Sequence, residues 1–147
     1  MSLDNRIALL SDTEAVGLLQ RFSRAQPRQD APSTLDASVS EQLREELELP
    51  DQTGSTPTEG ELARAALRAI ASDPEHREGI QALLDNPPTE KFVVIETAAV
   101  VSLALVALQT HFRFERDKQG KWTVKLEKKP TDSSLLKDLV KKLLSFG

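Results

Sequence analysis

Apolar side chains recur along this chain at helical spacing almost to its C-terminal quarter, where the period shifts to two. Between Ser11 and Ala25 they fall at Ala15, Val16, Leu18, Leu19 and Phe22, three and four residues apart on one helical face. Ser11 and Glu14 stand as S-x-x-E, the spacing at which the two side chains cap each other's backbone N–H. Ile7 and Leu10 precede this box and form either a separate turn of helix or the start of a longer one. A second helix begins near Ser33 or Thr34, after the proline-containing loop 25–33. It carries Leu35, Val39, Leu43 and Leu47 at steps of four, an acidic outer face, and a stop at Pro50.

The segment 50–58, PDQTGSTPT, reads as a flexible linker. Thr56, Pro57 and Glu59 then predict a capped helix start, and Leu62, Ala65, Ala66, Ala69 and Ile70 a face small enough for close helix approach. Asp73-Pro74 starts a fourth helix with Ile80, Leu83 and Leu84 inward, ended by Asn86-Pro87-Pro88. The stretch Phe92–Leu108, after a capping Thr89, is apolar nearly all round. Its length and alanine content favour helix over strand, since strands average about 5–6 residues.

From His111 the alternation is strict. HFRFERD-KQG-KWTVKLEKK predicts an antiparallel hairpin with a three-residue loop and Gly120 in the left-handed position. That loop pairs Asp117 with Lys121, Arg116 with Trp122, Phe114 with Val124, and Phe112 with Leu126. Phe112, Phe114, Trp122, Val124 and Leu126 then share one face, and Arg113, Glu115, Thr123, Lys125 and Glu127 the other. The last segment is a strongly amphipathic helix with Leu135, Leu136, Leu139, Val140, Leu143 and Leu144 on its apolar side. Asp132 near its start and Lys141 and Lys142 near its end suit the helix dipole.

The fold class these elements imply is mainly α (α+β). It is a helical bundle of about five to six helices with one C-terminal two-stranded antiparallel hairpin packed on a central apolar helix. The organisation is an N-terminal helical segment 1–49, the linker 50–58, and a helical core 59–147 containing the hairpin (111–129) and the C-terminal helix (133–146). A single domain over the whole length is the alternative. Five of the six aromatics lie from Phe92 onward, so the C-terminal part is expected to be the better-specified core.

The apolar run raises the membrane question. Its 17 residues reach about 25 Å as a helix, short of the roughly 30 Å of bilayer hydrocarbon, and Glu96 and Thr97 interrupt it near one end. A buried spine for the hairpin and last helix is the better expectation, ahead of a partner surface and of a membrane span. The N-terminus shows neither a basic start nor a long apolar run, so no secretory signal is expected and the cytoplasm is the default.

Composition narrows the chemistry. With no cysteine among 147 residues, disulfides, thiolate metal sites and cysteine nucleophiles are excluded. The net charge of −4 is unevenly spread. Residues 110–147 hold ten Lys/Arg against five Asp/Glu, a net of +5, and the rest hold nine against eighteen, a net of −9. Positions 72 and 80, four residues either side of His76, are Ser and Ile, so no helical ligand pair forms there. His76 reads as a solvated first-turn side chain and His111 as a surface residue at the edge of the first strand. No nucleophile elbow, phosphate loop, dinucleotide fingerprint or calcium loop is present, and no cofactor or small-molecule substrate is indicated.

The expectation is therefore a non-catalytic protein–protein interaction module: an adaptor, accessory or assembly subunit binding another protein or a second copy of itself. The candidate interaction residues are Glu96, Arg113, Arg116, Trp122, Lys125, Lys141 and Lys142. Glu96 is an acid inside the apolar run, and Trp122 sits where Arg116 would cover it by cation–π contact. Two alternatives rank below. One is a membrane-associated component inserted through residues 92–108. The other is a nucleic-acid-binding accessory protein using the hairpin 111–129, whose cations are diluted by Glu115, Asp117 and Glu127.

Overall fold

A computed structural model describes residues 2–25, 37–49, 57–86, 97–127 and 134–145. Within them the chain forms helices α1 (Leu3–Ala8), α2 (Asp12–Ala25), α3 (Ala37–Glu46), α4 (Glu59–Ala71), α5 (Pro74–Asp85) and α6 (Thr97–Leu108). Strands β1 (Phe112–Arg116) and β2 (Trp122–Leu126) and helix α7 (Ser134–Leu144) follow. The fold is mainly α, with one two-stranded antiparallel sheet packed on helices. The proline loop beyond residue 25, the linker from 50 to 56, the Pro87-Pro88 stop, the Thr89 cap, Glu96 and Asp132 lie outside the described residues.

Local chemistry sets the helix ends. Ser2 caps α1 by accepting the Asn5 N–H. The S-x-x-E box forms reciprocally: Ser11 Oγ accepts the Glu14 N–H at 3.2 Å, and Glu14 Oε1 accepts the Ser11 N–H at 3.2 Å. The box therefore starts a new helix, and Ile7 belongs to a separate α1. Asp73 caps α5 through the Glu75 N–H, with Pro74 in the first turn.

Two ends differ from the sequence expectation. The cap of α4 is Thr58, which accepts the Glu61 N–H at 3.1 Å, so Pro57 lies outside the helix. Thr58 and Glu61 have the same spacing as Thr56 and Glu59; pattern alone does not choose between overlapping boxes. The later start puts Gly60 in the first turn, where a Cβ would strike the Asp12 side chain. The second difference is at α3, which ends before Pro50. Glu48 adopts φ 53°, its N–H donates to the Glu45 carbonyl, and the Leu49 N–H donates to the Arg44 carbonyl at 2.9 Å. These two bonds make a Schellman turn, with Glu48 in the position usually given to glycine.

The centre of the molecule is α4. It packs against α1, α2, α5, α6 and α7. Ala63, Leu67 and Ala71 are buried along with the expected Leu62, Ala65, Ala66, Ala69 and Ile70, so the helix is enclosed on all but the stripe of Glu61, Arg64 and Arg68. Its alanines are the reason: each lets a neighbouring backbone come close. The described part of the apolar run, α6, is one of the helices packed on α4, and the helix that closely meets the hairpin is α3, through β2. The expectation that the core concentrates from Phe92 onward is corrected accordingly. One apolar cluster runs from Ile7 through Val16, Leu43 and Leu67 to Leu105 and Leu143.

Polar ties hold the helix layers in register. Arg64 of α4 donates to the Leu10 carbonyl at 2.9 Å and to Asp12 Oδ1 at 3.0 Å. Arg21 of α2 donates to the Leu83 and Asn86 carbonyls, placing a cation at the C-terminal end of α5. Arg6 bonds Asp85 at 2.8 Å across the same end of the bundle.

Candidate interaction surface on the hairpin

The hairpin takes the expected register: Phe112 faces Leu126, Phe114 faces Val124, and Arg116 faces Trp122. Its loop is built by Asp117, whose Oδ1 accepts the Gln119 N–H at 2.9 Å and the Lys121 N–H at 2.8 Å. Gly120 takes φ 83°, a conformation other residues adopt at a cost. The Arg116 guanidinium carbon lies 5.6 Å from the Trp122 ring centroid, the cation–π contact that the register demands. Phe112, Phe114 and Val124 are buried, with Trp122 and Leu126 half-buried beside them. Arg113, Glu115, Lys125 and Glu127 are exposed on the outer face.

The two edges of this sheet are treated differently. Each strand of an antiparallel pair turns alternate backbone groups away from its partner. On β2 the outward groups belong to Trp122, Val124 and Leu126, and the Gln42 side chain of α3 meets one group on each of the first two. Gln42 Nε2 donates to the Trp122 carbonyl at 2.9 Å, and its Oε1 accepts the Val124 N–H at 2.8 Å. One side-chain amide thus supplies two of the bonds that a third strand would make. On β1 the outward groups belong to Phe112, Phe114 and Arg116, and among the described residues no hydrogen bond reaches them.

The candidate residues distribute over three places. Arg113 and Lys125 lie opposite each other on the outer face, and Arg113 Nε bonds Glu115 Oε1 at 2.8 Å along the same strand. Arg116 and Trp122 pair on the inward face near the loop. Lys141 and Lys142 lie on α7; Lys141 is exposed, and Lys142 bonds Asp138 at 2.6 Å one turn earlier. Glu96 lies outside the described residues.

Both histidines depart from the sequence reading. His111 is not a surface residue: it retains 3% of its accessible surface. The turn after α6 tucks it in, its N–H donating to the Leu108 carbonyl. The Thr110 hydroxyl bridges the Ala107 carbonyl and His111 Nδ1, at 2.8 Å from each. His76 is half-buried, its ring edge-on to Phe22 with centroids 5.7 Å apart. Asp73, Glu75 and His76 bring possible ligand atoms within 4.8 Å of one another, a grouping that an i,i+4 search misses because its members sit at the cap and first turn. The arrangement serves the helix: Asp73 Oδ1 already accepts the Glu75 N–H, and the N-terminal end of α5 presents a positive potential that opposes a cation.

No described helix is long and apolar enough to cross a membrane. No protein-family model, curated protein or solved structure matches the chain.

Proposed function

We propose that this chain is a small non-catalytic protein–protein interaction module, an adaptor or accessory subunit of the cytoplasm, that receives an extended segment along the outer edge of β1. The observation supporting this reading is the contrast between the two sheet edges. On β2 Gln42 meets an outward group of Trp122 and one of Val124, whereas the outward groups of Phe112, Phe114 and Arg116 on β1 meet no donor or acceptor among the described residues. Of these, Arg116 is exposed while Phe112 keeps 2% of its surface, so the end of the edge near the loop is the part open as a template on which another chain adds, with main-chain hydrogen bonds supplying affinity. The outer face supports a polypeptide partner over a nucleic acid, because Arg113 and Lys125 alternate with Glu115 and Glu127 rather than forming a continuous cationic track.

Site-specific photocrosslinking in the protein's native cells tests the reading. A photoreactive side chain at Glu115 is expected to yield a discrete protein adduct, and one at exposed Gln81 on α5 none. The adduct is expected to disappear when Phe114 or Arg116 carries an N-methylated backbone, which removes the outward donor. Absence of any adduct at position 115, or equal adducts at both positions, overturns the proposal.

A further inference from the structure

We infer that α3 is a separable cover on the hairpin. It leaves β2 and α7 as one unit while α4 and the helices around it stay folded, and in leaving it opens the outer edge of β2. The inference concerns the opposite edge from β1 and stands independently of the interaction-module reading. It follows from where α3 sits and from the order of charges along it.

α3 packs on β2 and, less extensively, on α7, and it is not among the helices packed closely on the central α4. Its hold on the molecule is the burial of Val39, Leu43, Leu47 and Leu49, together with the two hydrogen bonds from Gln42 to β2. Little within the helix itself adds to that hold. It has 10 residues, and isolated helices shorter than about 12–15 residues are marginal in water. No acid stands in its first turn, while Glu45 and Glu46 sit beside Arg44 at its C-terminal end, where the helix dipole disfavours carboxylates. Glu41 and Glu45 are exposed like charges at i,i+4, and neither forms an ion pair among the described residues. The turn that ends the helix keeps Glu48 at φ 53°, a further local cost. α4 is built the other way, with the Thr58 cap, Glu59 and Glu61 in the first turn and Arg68 in the last.

An element with few tertiary neighbours and unfavourable local terms opens at a lower free energy than the whole fold. The opening of α3 is populated rarely, but it changes what the hairpin presents. The Trp122 carbonyl and the Val124 N–H lose Gln42 and turn to solvent. With Leu126 they form a row of three outward positions on β2, the template on which a further strand adds. α3 thus acts as an autoinhibitory contact: while it is docked, its Gln42 side chain occupies two of the groups that an incoming strand needs.

Native-state hydrogen exchange of the purified full chain, in urea kept below the unfolding transition, tests the inference. The amides of Leu43, Leu47 and Val124 are expected to exchange through one shared opening, about a hundredfold or more frequent than the opening that exposes Ala66 and Leu67 of α4. Ile80→Val trims a buried side chain of α5, which packs on α2 and α4. It is expected to speed exchange in α4 about two- to tenfold and to leave the α3 opening unchanged, because α5 stays packed whether α3 is docked or not. Glu45→Lys replaces a like-charge pair with an opposite one and suits the C-terminal end of the helix. It is expected to make the α3 opening about three- to tenfold rarer. Equal exchange in α3 and α4, with both accelerated by Ile80→Val, means that α3 leaves only with the whole fold and overturns the inference. So does exchange of Leu43 and Leu47 that leaves Val124 protected, or an opening indifferent to Glu45→Lys.

Discussion

Glu48 holds a left-handed backbone at φ 53° so that the turn ending α3 can close and Leu49 can bury. A side chain there costs about 1–2 kcal/mol through the clash of Cβ with the following carbonyl. Glycine removes the clash but adds freedom to the unfolded chain, worth about 0.4–1 kcal/mol in the other direction. Glu48→Gly is therefore expected to stabilise the protein by about 0.5–1 kcal/mol, raising Tm by about 2–3 °C. Urea denaturation checks this, with Glu48→Ala as a control that keeps Cβ and gives no gain. Nothing in the apolar pattern marks Glu48, because helix ends are chosen by which carbonyls remain to be satisfied. His111 teaches the same lesson from the other side: strand alternation assigns it outward, and the turn at Gln109–His111 folds it in.

At the scale of elements, the hairpin was the most legible part of the chain. Strict alternation and the Lys-Gln-Gly loop leave one register in which Phe112, Phe114 and Val124 are buried together, and that register is observed. What the alternation does not reveal is how the two edges are finished. Gln42 is one polar residue on a helix 80 positions from Trp122, and its role exists only once α3 lies along β2. Gln42→Leu leaves the Trp122 carbonyl and the Val124 N–H without their partner in a half-buried setting, at an expected cost of about 1–3 kcal/mol. Hydrogen exchange at Val124 is the direct readout. It is expected to accelerate while Thr123, whose backbone pairs with Glu115, changes less. Equal acceleration at both positions would mean that the hairpin as a whole, rather than its edge, depends on Gln42.

At the scale of the whole molecule, the enclosure of α4 ties distant parts together. Five helices close on it, and Ala66 is fully buried within that crowd. Ala66→Leu adds three carbons where packing leaves no space, with an expected loss of about 1–3 kcal/mol. Because α4 borders helices from both ends of the chain, the loss is expected to be shared. Far-UV circular dichroism follows the helices, and fluorescence of Trp122, the single tryptophan, follows the hairpin. The two transitions should coincide in the parent and shift together in the variant. A hairpin transition that stayed in place would show that α4 does not bind the molecule into one cooperative unit.

Periodicity and capping chemistry by themselves determined the elements. Helical spacing, the Ser11–Glu14 box, Asp73-Pro74 and the Asp117–Gly120 loop act over a few residues, so their outcome is written locally. The sequence alone also places Arg113 and Glu115 on one side of a strand, with alternating sign about Phe114. Tertiary structure decided which helix occupies the centre. The run of greatest hydrophobicity is the natural sequence candidate, but centrality follows from how closely neighbours approach, and the small side chains of α4 set that limit. Tertiary structure also decided that Gln42 meets two outward groups of β2 while those of β1 meet no partner among the described residues. Edge satisfaction depends on which element comes to lie beside which strand, and that arrangement is a property of the packed molecule rather than of any segment within it.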